Sequence, residues 1–378
     1  MAAGSSLSGR GAAGLAGVGL ESFLEWADQS WLRCLDGDPE TEEHAPNKSS
    51  RRVKSGHFVL VKPTPLPDPL LIIHSTALAD SLRLTEEACC SPAFLSFFSG
   101  HGSATLDSWA TPYALSIYGQ QMYQNCPFGD GTGYGDGRAI SVAEVLVPSD
   151  GTSTRWEFQL KGAGTSPFSR GADGRAVLRS SVREFLASEA MFHLGVSTTR
   201  ALSLIVSRSE GVMRPWFSGT PNPEFSEMPK HISDPRLAHL PLKMRSYILQ
   251  QLKGAKSEPD VMVRDACAIT CRVAPSFLRV GHIELFARRA AKGDPLGKEQ
   301  LLKIVMHAIQ REYPEILELN LSLSELIKEF LKRAARSFAT LASDWLRVGY
   351  TQGNFNSDNC LVAGYVIQII KLFFVLFV

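Results

Sequence analysis

Between Gly133 and Leu194 the chain packs three glycine-rich motifs into one stretch: Gly133-Tyr134-Gly135-Asp136-Gly137-Arg138-Ala139, Lys161-Gly162-Ala163-Gly164 and Ala172-Asp173-Gly174-Arg175-Ala176. A plain structural core has no use for so much backbone freedom beside so much fixed charge. The glycines permit φ > 0 and leave amide N–H groups exposed, while Arg138, Lys161, Arg175 and Arg179 place positive charge close by. That combination suits a polyphosphate.

The motifs sit on a readable local frame. Ala139 to Val147 alternates as a strand, Asp150-Gly151 lies in turn chemistry, and Trp156 to Lys161 alternates again, giving a β-hairpin that ends on a lysine. Gly174 to Leu194 has the apolar spacing of a helix, and strands follow at Ala201 to Ser207 and Ala266 to Ala274. On a wheel of roughly 100° per residue, Glu184 falls with Val177 and Met191 on the apolar side, away from Arg175, Arg179 and Arg183. A carboxylate facing inward needs a partner, and Lys161 is the nearest obvious cation from a preceding strand. Kinases use a strand Lys held by a helix Glu to engage nucleotide phosphates. A helix-edge Glu in solvent with an ordinary strand-end Lys is the competing reading.

Downstream, Arg272 lies near the end of an apolar strand and Arg279 follows seven residues later. Two such arginines could clamp terminal phosphates, or simply form salt bridges between parts of the fold. The loop Gly353-Asn354-Phe355-Asn356-Ser357-Asp358-Asn359 offers a carboxylate to accept a proton and an amide oxygen for Mg²⁺, or an Asx-rich turn. No Gly-x-x-x-x-Gly-Lys-Ser/Thr motif and no complete dinucleotide fingerprint occurs. His193 and His282 have no nucleophile partner at a telling spacing, and structural roles are expected for both.

Elsewhere, Ser22 to Leu35 reads as a short helix and Asp36 to Arg52 as a charged linker, so the compact part is expected to begin near Gly56. Phe58 to Val61 reads as a strand, with helices at Ser75 to Leu84 and around Pro92 to Phe98. The proline-rich Ser209 to Asp265 is read as a surface insertion, helical near Lys243 to Leu252, and Ile283 to Arg347 as mostly helical. A net charge of +1 excludes bulk electrostatic attachment to nucleic acid, so phosphate recognition should be local. Seven cysteines without metal-ligand spacing read as reduced thiols, with Cys267 and Cys271 in the core. The acid-poor first twenty residues resemble either a weak organellar transit peptide or a disordered tail.

Taken together, Gly135-Asp136-Gly137-Arg138-Ala139, Gln159-Leu160-Lys161-Gly162-Ala163-Gly164, the run from Ala172 to Leu186, Thr198 to Leu204, Cys271 to Arg279 and Asn356-Ser357-Asp358-Asn359 resemble the selenoprotein O family of protein adenylyltransferases. The resemblance implies an α+β, protein-kinase-like two-lobed fold, with a β-rich nucleotide-binding lobe and an incomplete helical C-lobe. The expected divisions are an extension at 1–55, a nucleotide-binding lobe at 56–285 with its insertion at about 209–265, a helical lobe at 286–361 and a hydrophobic tail at 362–378. It further implies ATP with Mg²⁺ (or Mn²⁺), bound in reverse orientation relative to kinases, and AMP transfer to Ser, Thr or Tyr hydroxyls of protein substrates. Gly135, Gly137, Arg138, Lys161, Asp173, Gly174, Arg272 and Arg279 would contact the nucleotide, with Glu184 steadying Lys161. Asp358 would be the general base and Asn359 a metal ligand. A non-catalytic ATP-binding module and a phosphoryl-transferring kinase are the alternatives. No nucleic-acid or membrane partner is expected, and the resemblance points to mitochondria, with the cytoplasm otherwise.

Two departures from the family pattern stand out. Gly119-Gln120-Gln121-Met122-Tyr123 replaces the family's Gly-His-Gln-Phe-Gly, so the nucleotide loop is expected to be reshaped. After Asn359 the family's Asp-Tyr-Gly-Pro-Phe-Gly, carrying a second metal ligand, gives way to Ala363 to Val378, which is largely apolar and holds no aspartate. The expectation is a truncated or alternatively spliced product with impaired transfer.

Overall fold

The computed structural model describes residues 16–102, 105–149, 151–218, 229, 231–254 and 259–367. The suspected transit segment at 1–15 and the tail beyond 367 lie outside the described residues. In chain order the elements begin with α1 (Leu20–Leu24), α2 (Ser30–Cys34), β1 (Val59–Leu60), β2 (Pro69–His74), α3 (Thr76–Ser81), α4 (Glu86–Cys89) and α5 (Pro92–Ser96). Strands β3 (Trp109–Ala110), β4 (Ser116–Ile117), β5 (Gln120–Gln121), β6 (Ala139–Ser149), β7 (Thr152–Lys161) and β8 (Ala176–Val177) precede α6 (Leu178–His193). Then come β9 (Arg200–Trp216), α7 (Leu242–Gly254), β10 (Val261–Ala274), α8 (Val280–Ala291), α9 (Gly297–Glu312) and α10 (Leu323–Arg347).

The architecture is mixed α+β around an eight-stranded sheet ordered β1-β3-β6-β7-β10-β9-β2, with β8 added against β10. The β6–β7 hairpin is antiparallel, with Ala139 opposite Lys161, and β10 flanks β7 on the other side, with Thr270 opposite Lys161 and Arg272 opposite Gln159. The period-two pleat therefore sends Phe158 and Leu160 to one face and Glu157, Gln159 and Lys161 to the other. Both faces are buried: Phe158 and Leu160 at 0%, but also Glu157 at 1%, Gln159 at 0% and Lys161 at 6%. A buried polar sheet face is costly unless paired, so the elements covering it must bring partners. Helices α8 to α10 share a core containing Phe286, Ile304, Ile309, Ile316 and Phe330, which also takes in Trp109 of β3. The long α10 starts with a reciprocal capping box between Ser322 and Glu325.

Three expectations are corrected and one strand is added. The helix expected at Ser22 to Leu35 is two short helices, because Gln29 takes a left-handed conformation (φ 49°) and Ala27 bridges to Val145 of β6. The compact part starts well before Gly56: Phe23, Trp31 and Leu35 are buried, Trp31 and Leu35 in the same core as Phe286. The helix expected from Gly174 begins at Leu178, since Gly174 is left-handed (φ 69°) and Ala176–Val177 pairs with β10. Strand β2 was missed: its Pro-Leu-Leu-Ile-Ile-His run is a half-exposed strand against β9, without clean alternation to betray it.

The chain divides into two compact units, residues 1–210 with 266–378, and 211–265. The second contains α7 and a turn in which Asp234 caps Arg236. Of the expected hydrophobic tail, Val362, Val366 and Ile367 are buried, and Val366 bridges to Thr198 and Cys360. Among the described residues no helix is long and apolar enough to cross a membrane.

Candidate functional site

Glu184 answers the buried polar face. Helix α6 lays its inner side, Ser181, Phe185, Ser188 and Met191, toward the protein, and Glu184 from that side accepts from Lys161 Nζ and from Arg272 Nε. Arg272 also reaches Gln159 Oε1 at 3.3 Å. One carboxylate thus ties three elements, β7, β10 and α6, through two cations, and all three side chains are at most 10% exposed. Burial alone would raise the Glu184 carboxyl, but Arg272 and then Lys161 outweigh it and hold it down to about 2. Lys161 moves the other way from its ordinary value, to about 7, because burial and then the neighbouring Arg272 outweigh its single anion. The carboxylate has two opposite charges, whereas the lysine has one anion against the two cations Arg272 and Arg138, which is why only the carboxylate is secure. Arg272 therefore has a structural ion pair in this state rather than an open clamp.

The glycines divide by physical role. Gly174 (φ 69°) packs back to back on Gly164, whose N–H donates to the Gly174 carbonyl at 3.2 Å. Gly135, by contrast, has no left-handed backbone. A Cβ there would lie 2.6 Å from the Thr111 carbonyl and inside the Phe168 ring, and a Cβ at Gly137 would lie 2.6 Å from the Phe168 carbonyl. The need at Gly135 and Gly137 is close approach, not φ. Their neighbour Asp136 is fixed from the same loop, its carbonyl accepting from Ser166 Oγ at 2.6 Å.

Arg138 is exposed at the root of the hairpin, and its carbonyl accepts from the Gly162 amide at 2.7 Å. Asp173 is exposed and accepts from the Arg175 amide at 2.9 Å. Arg175, counted from sequence among the phosphate-facing cations, turns inward instead. It bonds Glu210 through Nε and Nη2 at 2.9 and 2.8 Å, and the carbonyls of Thr64, Pro65 and Gly162.

A second cluster forms where α8 begins. Arg279 donates from Nη2 to Asp136 Oδ1 at 2.7 Å and from Nη1 to Asp358, and its guanidinium lies 4.6 Å from the centre of the Tyr113 ring. Burial would lower the Arg279 pKa, but Asp136, Tyr113 and Asp358 outweigh it and push it up. Asp358 stands in a loop braced by Asn356, whose Oδ1 accepts from the amides of Asp358 and Asn359 at 3.0 and 3.1 Å. This is an Asx turn that also presents two oxygen-bearing side chains. The Asn359 amide nitrogen donates to the Asn354 carbonyl at 2.9 Å, which leaves the side-chain oxygen as the end available to a cation. A carboxylate and an amide oxygen on adjacent residues are the hard donors Mg²⁺ accepts, with phosphates and water completing its shell.

Three chain steps lead from Asp136, in this cluster, to Ala139, opposite Lys161 in the first; they span at most roughly 11 Å. One short stretch of the glycine motif therefore joins the two clusters.

Several participants escaped the sequence reading. Asp136 lies inside the glycine motif, where the flanking glycines and Arg138 drew attention. Thr111, Tyr113 and His282 carry no spacing signal. Thr270, cross-strand from Lys161, buries a hydroxyl that has no hydrogen-bond partner among the described residues. The Glu157-x-Gln159-x-Lys161 alternation was the one available signal for the polar face.

The family model described as "Protein adenylyltransferase SelO" matches residues 43–227 and 249–369. A protein named "Protein nucleotidyltransferase YdiU" from Methylobacillus flagellatus is 37% identical over 342 residues, covering 90% of this chain and 53% of the relative. Proteins of the same name from an Azoarcus species and from Tolumonas auensis are 37% and 35% identical, over 90% and 92% of this chain and 53% and 54% of theirs. The chain spans about half the length of these curated relatives. With most of its residues matched by the family model and these relatives 35% to 37% identical over 90% or more of its length, the chain belongs to the SelO family.

Proposed function

We propose that this chain binds ATP and transfers AMP from it to Ser, Thr or Tyr hydroxyls of proteins, within a kinase-like arrangement. In that arrangement the sheet with α6 forms the nucleotide-binding lobe and α8 to α10 belong to the helical one. The observation that carries the reading is the buried Lys161–Glu184–Arg272 triad beneath the glycine motifs. A structural core would be as well served by apolar residues there, whereas a phosphate site needs cations fixed in advance. The family name and the relatives' names agree with the reading.

Lys161, Arg272 and Arg279 would hold the phosphates, Arg138 and the glycine amides would approach them, and Asp173 with Gly174 would border the nucleotide. Asp358 would take the proton of the attacking hydroxyl as its oxygen bonds to the α-phosphorus and the bond to the bridging oxygen breaks, releasing pyrophosphate. Asn359 would help hold Mg²⁺, which would supply charge neutralisation at the phosphates. Incubation with ATP labelled at the α-phosphate, Mg²⁺ or Mn²⁺ and a protein mixture tests the proposal. Label should enter protein and be lost in Asp358→Ala; label entering only from the γ-phosphate would replace AMP transfer by phosphoryl transfer.

A further inference from the structure

Arg279 is held at both ends of its guanidinium by carboxylates of very different character. Asp136 is 3% exposed, and besides Arg279 it accepts from the Thr111 amide at 3.1 Å and from the Thr111 hydroxyl. Asp358 is 29% exposed. The donors around Asp136 also run in one direction. The Arg279 amide donates to His282 Nδ1 at 2.8 Å, so His282 Nε2 carries the hydrogen and donates to Thr111 Oγ1 at 2.8 Å, leaving the Thr111 hydroxyl hydrogen for Asp136. Asp136 in turn accepts from the Arg279 side chain, which closes the ring on the residue where it began. Such a ring needs a neutral His282, and burial followed by the charge of Arg279 keeps it neutral.

We propose that Asp136 is a positioning residue that keeps one arm of Arg279 fixed while the other arm passes from Asp358 to the phosphates of the bound nucleotide. The proposal rests on the ATP-binding reading. The asymmetry decides which contact yields. Asp358 can be rehydrated when the arginine leaves it, whereas Asp136 would be stranded as a buried, unpaired charge. A polyphosphate also outbids a single carboxylate for the free arm. The exchange would uncover Asp358 as a proton acceptor only once nucleotide is present.

The test measures ATP affinity calorimetrically on the full chain for wild type, Asp136→Asn, Arg279→Ala and the double variant. Asp136→Asn is expected to weaken ATP binding about tenfold, equivalent to about 1.4 kcal/mol. The same change in the Arg279→Ala background should alter it by less than about twofold. Equal losses in both backgrounds, or no loss in either, overturn the proposal. Should Asp136→Asn fail to fold, Thr111→Val takes its place: it keeps both charges but opens the ring, and its smaller loss, about threefold, must likewise vanish without Arg279. ATP binding that depends on Lys161 but shows no Asp136–Arg279 coupling sinks this proposal alone, while absence of ATP binding by wild type sinks the reading beneath it.

Discussion

Glu184→Gln removes the one anion shared by two buried cations while keeping the size of the side chain. Breaking a buried ion pair from one side costs about 3–5 kcal/mol, because the partner is left charged and unpaired. Arg272 cannot shed its charge and bears that cost. Lys161 can, since it already sits at about 7, and without Glu184 it falls further and releases its proton. The loss of stability should therefore stay near the lower end, about 3 kcal/mol, at pH 8.5. It should be larger at pH 6, where wild-type Lys161 still holds a proton that the variant gives up, so that only the variant gains stability as pH rises toward 7. ATP affinity should fall by roughly 10–100-fold, the worth of one charge-assisted hydrogen bond. Urea unfolding at pH 6 and 8.5, with ATP titrations on the same samples, measures all three quantities. A pH-independent stability loss with unchanged ATP affinity would refute the reasoning, leaving Glu184 a purely structural ion-pair partner.

The lysine gives a second handle: with its folded pKa near 7, at pH 8 it is mostly neutral until phosphates arrive, so ATP binding should take up as much as about one proton. Calorimetry in phosphate and in Tris reads this directly, and heats independent of the buffer would contradict it. Gly174→Ala and Gly171→Ala form a matched pair, since both residues are left-handed (φ 69° and 78°) but only Gly174 has backbone, that of Gly164, where the Cβ would go. Gly171→Ala should cost about 1 kcal/mol of backbone strain, and Gly174→Ala should lower the unfolding temperature distinctly more; equal shifts would discount the close packing. Finally, burial holds the Glu157 carboxyl up to about 7 despite Arg311, so the folded chain binds an extra proton between about pH 4.5 and 7 and loses stability as pH rises through that window. Glu157→Gln, which can still accept from Trp31 and Phe277 through its oxygen, should flatten that decline in thermal unfolding curves; an unchanged slope would assign it to other groups.

Local pattern made the centre of the fold legible. The β6–β7 hairpin, the inward Glu184 and the long helices from Val280 to Arg347 follow from alternation, a turn and 3.6-residue spacing, each confined to one segment. What sequence left out is what depends on a partner far along the chain. Trp31 reads as part of a peripheral helix until its indole N–H is seen to donate to Glu157, in a core shared with α9. Arg175 carries the same charge and the same glycine neighbour as Arg138, yet one is consumed by Glu210 and three carbonyls while the other stays exposed. Charge near a glycine motif does not say which way a side chain turns.

The same distinction explains why Asp136 was passed over. In the motif it is one polar residue between two glycines, and a turn would accept it for its own sake. Only the structure shows that Gly135 and Gly137 let the chain press against the Phe168 loop, and that this approach places the Asp136 carboxylate below Thr111 and against Arg279. The glycines at this point serve packing first, and the packing installs a buried anion. A phosphate site lined by arginines needs such anions as much as it needs the cations. Without Glu184 and Asp136, Arg272 and Arg279 would be left as buried, unpaired charges and Lys161 would give up its proton, so the three could not act together as cations.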